Sequence, residues 1–273
     1  MTDRAIKAGI RGYRDIMTSM RLATFNILHG RTVGDGVHLD RLRRSISILD
    51  PDILALQEVD FDQSRSGRAD LTAIAAEVMN AVSHRFVAAI TGTPGATWIA
   101  ATGEEHPESA AYGISLLSRY PATSWQVLRL PRIPTRFPMY LPVPGKVMIV
   151  HEEPRAAVLA RLDTPLGAMT IAGTHLSFVP GWNRHQLRQL ARTVRALPGP
   201  HIIAGDLNMA TGPAVRWTGM RPLACADTFP AEEPTQQLDH LLTDDRQLTV
   251  LRHATPRVEL SDHRPLAVTV TRH

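Results

Sequence analysis

The chain has 273 residues, 44% of them apolar, and its 30 Lys and Arg against 26 Asp and Glu give a formal net charge of +4. No apolar run approaches the roughly 18 to 20 residues of a membrane span, the N-terminus lacks a signal peptide's apolar core, and the lone Cys225 rules out an internal disulfide. Stable membrane insertion is therefore excluded, and the expectation is one monomeric cytoplasmic domain in which Cys225 is a buried or inert thiol.

In chain order, residues 1–19 read as a basic extension, flexible or helical and without a catalytic role, ahead of a single domain over 20–273. RLATFNI is a buried strand ending near Asn26. His29 and Asp35 follow it and could extend a metal shell, although a histidine in a loop is more often exposed. Leu39, Leu42, Ile46 and Leu49 stand at helical spacing, and that helix ends at Asp50-Pro51, where the residue before proline disfavours the α region. It feeds the buried strand Ile53 to Val59, which carries Glu58. A second helix begins near Asp70, with Leu71, Ile74 and Val78 inward.

Gly92 to Glu108 and the proline-rich Pro131 to Gly145 read as loops, the latter as a rigid crossover or a wall for a leaving group. His106 is expected to be exposed. Ala156 to Leu162 and Ala168 to Leu176 form a hairpin through DTPLG, with Arg155 ahead of it and His175 in THL near its end. A helix follows with Leu187, Leu190, Val194 and Leu197 on one side and Arg184, Arg188, Arg192 and Arg195 on the other. The arginines read as a solvated face rather than a polyanion contact. That reading tempers the pI of about 9.7, since Lys7 and Lys146 are the only lysines and the arginine skew reflects coding bias. The four tryptophans are scattered and read as packing.

Three further segments complete the series: HIIAGDLN with Asp206 and Asn208, LDHLL with Asp239, and SDHRPLAV with Asp262 and His263 leading into a strand whose Leu266, Val268 and Val270 share one face. Asp262 and His263 precede their strand, whereas Asn26 and Asp206 follow theirs. In a sheet with antiparallel neighbours both kinds of position meet on one edge, which would form a cleft.

The residue types suit hydrolysis of a phosphoester. Carboxylate and amide oxygens are hard ligands fit for Mg²⁺ or Mn²⁺, and Glu58 is the best anchor. Asp206 and Asn208 could orient a water, His263 and His175 could donate to phosphate oxygens, and Asp239 could hold the His263 ring as a cationic donor. Singly, each of these has a plain reading as a turn residue. Their shared placement beside short apolar runs is what chance does not readily supply.

With these motifs in order from about Leu22 to Val270, the chain resembles the endonuclease/exonuclease/phosphatase superfamily, the deoxyribonuclease I-like hydrolases. The resemblance implies an α/β fold, a four-layer α/β/β/α sandwich of two packed mixed β-sheets flanked by helices. It implies phosphate binding by Asn26, Asn208, His175 and Arg155, and metal binding by Glu58, Asn26, Asp262 and Asp206. It also implies catalytic roles for His263, Asp206, Asn208, His175 and Asp239, with the last histidine open between general base and phosphate-binding electrophile. GTHLSF lacks the tyrosine and proline-asparagine step of abasic-site endonucleases. THL with DHRP is similar instead to the branch of neutral sphingomyelinases, deadenylases, tyrosyl-DNA phosphodiesterases and many bacterial hydrolases. A small-molecule or lipid-headgroup phosphodiester is the first expectation for the substrate and nucleic acid the second. A non-catalytic binding role is disfavoured by the complete set of site residues.

Overall fold

A computed structural model describes residues 18–106, 109–133, 137–141, 146–150 and 152–272. Two mixed sheets carry the architecture. The first orders its strands β14 (Leu248–Ala254), β15 (Leu266–Arg272), β1 (Ser19–Asn26), β2 (Ile53–Phe61), β5 (Ala111–Ser118), β3 (Ser83–Gly92) and β4 (Trp98–Ala100), and the second β12 (Arg221–Pro222), β13 (Asp239–Thr243), β11 (His201–Asp206), β10 (Gly167–His175), β9 (Arg155–Thr164) and β6 (Ala122–Leu130). In the first sheet, β1 (Ser19–Asn26) runs parallel to β2 (Ile53–Phe61) and antiparallel to β15 (Leu266–Arg272). β5 (Ala111–Ser118) and β3 (Ser83–Gly92) continue it antiparallel. In the second, β10 (Gly167–His175) runs parallel to β11 (His201–Asp206), while β9 (Arg155–Thr164) and β13 (Asp239–Thr243) flank them antiparallel.

Period-two alternation assigns each strand face. Met20 and Leu22 from β1, Met169 and Ile171 from β10, Ile202 and Ala204 from β11 and Leu266, Val268 and Val270 from β15 share one apolar cluster between the sheets. The alternate residues of the first sheet, Phe25, Leu54 and Leu56 among them, pack under α1 (Leu39–Leu49) and α2 (Leu71–Met79). Those of the second, including Leu159 and Ile203, pack under α3 (Trp182–Arg195) and α4 (Thr211–Thr218). The four layers expected from the resemblance are therefore present. Helix ends follow local chemistry: α1 stops at Asp50 with φ 41°, just before Pro51, and Asp70 caps α2 by accepting from the Ala73 amide at 2.9 Å.

Several expectations need correction. Gly92 to Glu108 is not all loop, because β4 (Trp98–Ala100) folds back on β3. Within Pro131 to Gly145, β7 (Phe137–Leu141) pairs with β8 (Lys146–Val150) in a small sheet of its own, so proline at an edge did not prevent pairing. The 1–19 extension lies outside the described residues as far as 17, and Ser19 already belongs to β1. Cys225 is exposed, not buried, because it sits on the long connection between strands β12 (Arg221–Pro222) and β13 rather than in a layer. The four arginines of α3 are exposed as expected, and Arg188 lies over Trp217 of α4 at 5.0 Å.

One glycine fixes how closely the central strands of the second sheet approach. A Cβ built on Gly205 would run into the carbonyl oxygen of Thr174 on β10. Gly205→Ala is expected to force these strands apart at a cost of about 1–3 kcal/mol or more, read as a melting temperature lower by roughly 2–12 °C or more. An unchanged melting temperature would show that the sheet yields there at no cost.

Candidate active site

The inward alternation that builds the apolar core ends in polar groups. Along β1 the inner face continues from Leu22 through Thr24 to Asn26, along β10 from Ile171 to His175, and along β11 from Ala204 to Asp206. Register then sets neighbours side by side: His175 opposite Asp206, and Asp206 opposite Asp239 at the start of antiparallel β13. Asp262 and His263 arrive from the opposite direction, just ahead of β15.

Glu58 breaks the alternation. Residues 54 and 56 face the helix layer, and strict period two would send residue 58 there too. Instead the β2/β5 register shifts between Gln57 and Val59, and Glu58 adopts φ 57°. This bulge turns the carboxylate toward the cleft and lets Val59 take the apolar place.

The resulting cleft has a volume of about 360 Å³. Asn26 Nδ2 donates to Glu58 Oε1 at 3.1 Å and to Asp206 Oδ2 at 3.2 Å, while Asn26 Oδ1 accepts from the Leu28 amide. The same Asp206 oxygen lies 3.5 Å from His175 Nε2 and 3.8 Å from His263 Nε2. His263 Nδ1 meets Asp239 Oδ2 at 2.8 Å, and Phe229 covers the ring at 4.9 Å. Asn208, at φ 49°, donates its amide N–H to Asp206 Oδ1 and its Nδ2 to the Leu176 carbonyl, so its own oxygen stays uncommitted among the described residues.

Charge states follow from these partners. Burial alone would lower the His263 pKa, but Asp239, through charge and hydrogen bond, outweighs it and with Asp206 lifts it to about 10, so the ring is cationic at neutral pH. Burial, then the Asp239 charge, raises Asp206 to about 7 against the pull of His263, the Asn208 amide and Asn26. His175 is pushed well below its ordinary value, first by burial and then by the Arg155 and His263 charges. Its tautomer is also fixed: Arg155 offers only donors, so Nδ1, 3.1 Å from Arg155 Nη1, accepts, and the proton of the neutral ring sits on Nε2 facing Asp206.

Asp206, Asp239 and His263 bring ligand-type atoms within 4.8 Å of one another. The His263–Asp239 hydrogen bond already occupies two of those groups, which makes the trio a poor cage for an ion. Glu58 is better suited to hold one. Burial and the charge of Asp262 both raise its pKa, and its hydrogen-bond partner is an amide rather than a cation. A hard carboxylate without a cationic hydrogen-bond partner, on which the Asp262 charge also acts, matches a divalent metal.

Of the residues expected at the site, Asp262 lines the adjoining cavity with Phe229 and Ser261 rather than the cleft itself, and the optional Asp35 is exposed and bonded to His38 and Arg41; the others line the cleft or touch residues that do. His29 departs from expectation in the other direction: its side chain is only 13% exposed and its Nδ1 lies 3.9 Å from Glu58 Oε2. The cleft is also lined by Tyr112, Glu152, Glu153 and Phe178, none of them foreseen. Glu153, directly ahead of the Pro154-Arg155 step, was the most readable of these, because it adjoins a residue already singled out. Glu152 is 2% exposed, and neither of its oxygens closes a hydrogen bond among the described residues. The Ser177 hydroxyl nearby favours its ionised form, but burial prevails and raises its pKa.

A search of curated proteins returns no match. Among solved structures, an endonuclease/exonuclease/phosphatase from Beutenbergia cavernae superposes with a TM-score of 0.68 at 20% identity, covering 93% of this chain and 72% of that one. The mannosyl-6-phosphatase Bt3783 of Bacteroides thetaiotaomicron gives 0.63 at 15% identity over 92% and 99% of the two chains. The human Nocturnin catalytic domain with bound sulfate gives 0.60 at 17% identity over 94% of each. At such identities these likenesses establish a shared fold. The profile of the Endonuclease/Exonuclease/phosphatase family matches residues 23–263, from the first core strand to the terminal histidine of the site, and the chain therefore belongs to that family.

Proposed function

We propose that the protein is a divalent-metal-dependent phosphodiesterase that cleaves a small-molecule or lipid-headgroup ester by in-line attack of water. The observation that carries this reading is the convergence of three donors, Asn26 Nδ2, His175 Nε2 and His263 Nε2, within 3.2 to 3.8 Å of one Asp206 oxygen. Such a cluster suits a tetrahedral anion, whose non-bridging oxygens would draw on the same donors. The family of phosphoester hydrolases and the phosphatase among its structural neighbours agree with the class.

Within this reading each residue has a separate task. Glu58, with Asp262, would hold Mg²⁺ or Mn²⁺, and the ion would supply Lewis-acid neutralisation of charge on phosphate oxygens. Asn26 Oδ1 is engaged by the Leu28 amide, so Asn26 serves better as a donor linking Glu58 and Asp206 than as a metal ligand. Asp206 is the base: its pKa of about 7 lets it take a proton from the attacking water near neutrality, while the Asn208 oxygen aims that water. His263, already cationic, donates to a non-bridging oxygen instead of abstracting a proton, and Asp239 preserves that charge. Neutral His175 and Arg155 bind a second oxygen. The phosphorus–oxygen bond opposite the water then breaks, and the leaving oxygen is protonated from solvent in the open cleft.

Two acids in the cleft wall, Glu152 and Glu153, disfavour a polyanion there, and the α3 arginines are spread over an exposed face packed beside α4. Both observations favour a small substrate over nucleic acid.

The direct test uses bis(4-nitrophenyl) phosphate and an oligonucleotide with Mn²⁺ present. Glu58→Gln is expected to keep the fold, lose most turnover and recover partly at high Mn²⁺; full activity of this variant in chelator refutes the metal assignment. Replacing Arg184, Arg188, Arg192 and Arg195 together is expected to leave small-diester turnover nearly unchanged. Oligonucleotide cleavage that depends on these arginines, with a log-log salt slope of roughly 0.7 to 0.9 per phosphate contact, would promote the nuclease reading instead.

A second test follows His263 through folding stability. Its folded pKa of about 10 lies above the ordinary 6.5, so its contribution is fully present below about pH 6.5 and is lost as pH rises toward 10. The urea stability gap between the metal-free wild type and Asp239→Asn is therefore expected to be wider at pH 6 than at pH 10. A gap independent of pH would mean that the ring is not held cationic.

A further inference from the structure

His29 lies in a short 3-10 turn, Leu28–Gly30, immediately after the strand that delivers Asn26. Its position is costly to maintain: Leu28 and His29 both have positive φ, 44° and 48°, a region that residues bearing a Cβ seldom occupy in succession. Three bonds clamp the turn, Leu28 N–H to Asn26 Oδ1 at 3.1 Å, Gly30 N–H to the Ile27 carbonyl at 2.8 Å and Arg31 N–H to the Leu28 carbonyl at 2.9 Å. The fold thus spends backbone strain to aim this imidazole, and the anchor of the turn is itself a site residue.

The imidazole points at Glu58. Nδ1 stands 3.9 Å from Oε2, beyond hydrogen-bond length, and the ring forms no hydrogen bond with any described residue although it is only 13% exposed. Arg65 is tied bidentately to Asp60 at 2.7 and 2.9 Å and does not compete for Glu58. An imidazole nitrogen and a carboxylate oxygen 3.9 Å apart lie within the span that two ligands of one ion can bridge, since bonds of about 2.0–2.1 Å allow separations up to roughly 4 Å.

We propose that His29 is a nitrogen ligand of the cation held at Glu58 and that it biases this site toward Mn²⁺ over Mg²⁺. The preference follows from ligand chemistry: imidazole suits borderline transition ions, whereas Mg²⁺ keeps oxygen ligands and its own water. This inference rests on the metal assignment of the proposed function and adds to it a residue and a selectivity.

The test reads the ion directly, without turnover. Purified protein loaded with Mn²⁺ is studied by electron spin-echo spectroscopy for nitrogen coupling to the metal, and Mn²⁺ and Mg²⁺ affinities are measured by calorimetry. The wild type and the variants His29→Asn, His29→Gln and His175→Asn are compared. Nitrogen coupling is expected in the wild type and in His175→Asn and is expected to vanish in both His29 variants. Mn²⁺ affinity is expected to fall about 10- to 100-fold in the His29 variants, with Mg²⁺ affinity held within about threefold. Asn tolerates positive φ better than most residues, so His29→Asn guards against loss of the turn, and an unchanged melting temperature checks it.

Nitrogen coupling that persists in His29→Asn, or equal losses for both ions, overturns the proposal while leaving Glu58 as the anchor. Absence of any Mn²⁺ binding by the wild type overturns the proposal together with the metal assignment. Mn²⁺ affinity unchanged by His29 replacement but lost in Glu58→Gln also overturns the proposal and leaves the metal assignment standing.

Discussion

Asp206 and Asp239, with 1% and 0% exposure, stand opposite each other on adjacent strands, and the structure must keep two buried carboxylates from repelling one another. Its solution is the His263 ring, bonded to one and 3.8 Å from the other. Much of the site follows from that arrangement. The imidazolium is stabilised because both acids surround it, Asp206 is raised to near neutrality by burial and then by its neighbour Asp239, and His175 stays neutral through burial and then the Arg155 and His263 charges. Each charge state is a consequence of the others, so the groups titrate and act as a set.

This set sits where the sandwich requires least adjustment. The inner faces of β1, β10 and β11 are apolar along their length and become polar at one end, so the same alternation that builds the core also delivers the chemistry. The sheets supply rigidity, and parallel β1/β2 and β10/β11 pairs bring the ends of four strands to one edge. Around the site, Glu58, the Leu28–Gly30 turn, Asn208 and Ser261 need exceptional backbone, with φ of 57° in the bulge, 44° and 48° in succession in the turn, and 49° and 70° at the other two. These exceptions lie on both sides of the cleft, consistent with strain being retained where function demands a particular aim.

That division also explains what could be read from the chain. Asn26, Asp206 and Asp239 were legible because the first two end and the third begins a short apolar run whose period fixes its face, and Asp239 could be paired with His263 on the strength of the family resemblance. The bulge at Glu58 left no local signature: by alternation the residue belongs to the helix layer, and its type alone suggested the cleft. Glu152 and Tyr112 were missed because nothing in their own segments distinguishes a cleft wall from a surface, and that distinction arises only when β9 and β5 from different sheets are brought together. The buried alternative for Cys225 failed since a thiol's usual burial says nothing about a residue on a long connection. His29 was undervalued for the same reason: the usual exposure of loop histidines does not anticipate a turn held by Asn26.

The central claim, that His263 and Asp239 form one charge unit, is tested most directly by a double-mutant cycle on kcat with His263→Ala and Asp239→Asn. Losses of about 10²- to 10⁴-fold are expected for His263→Ala and much of that for Asp239→Asn, with the double variant within a few-fold of the worse single one. Strictly multiplicative losses would contradict the claim, because they would mean that each residue contributes without the other.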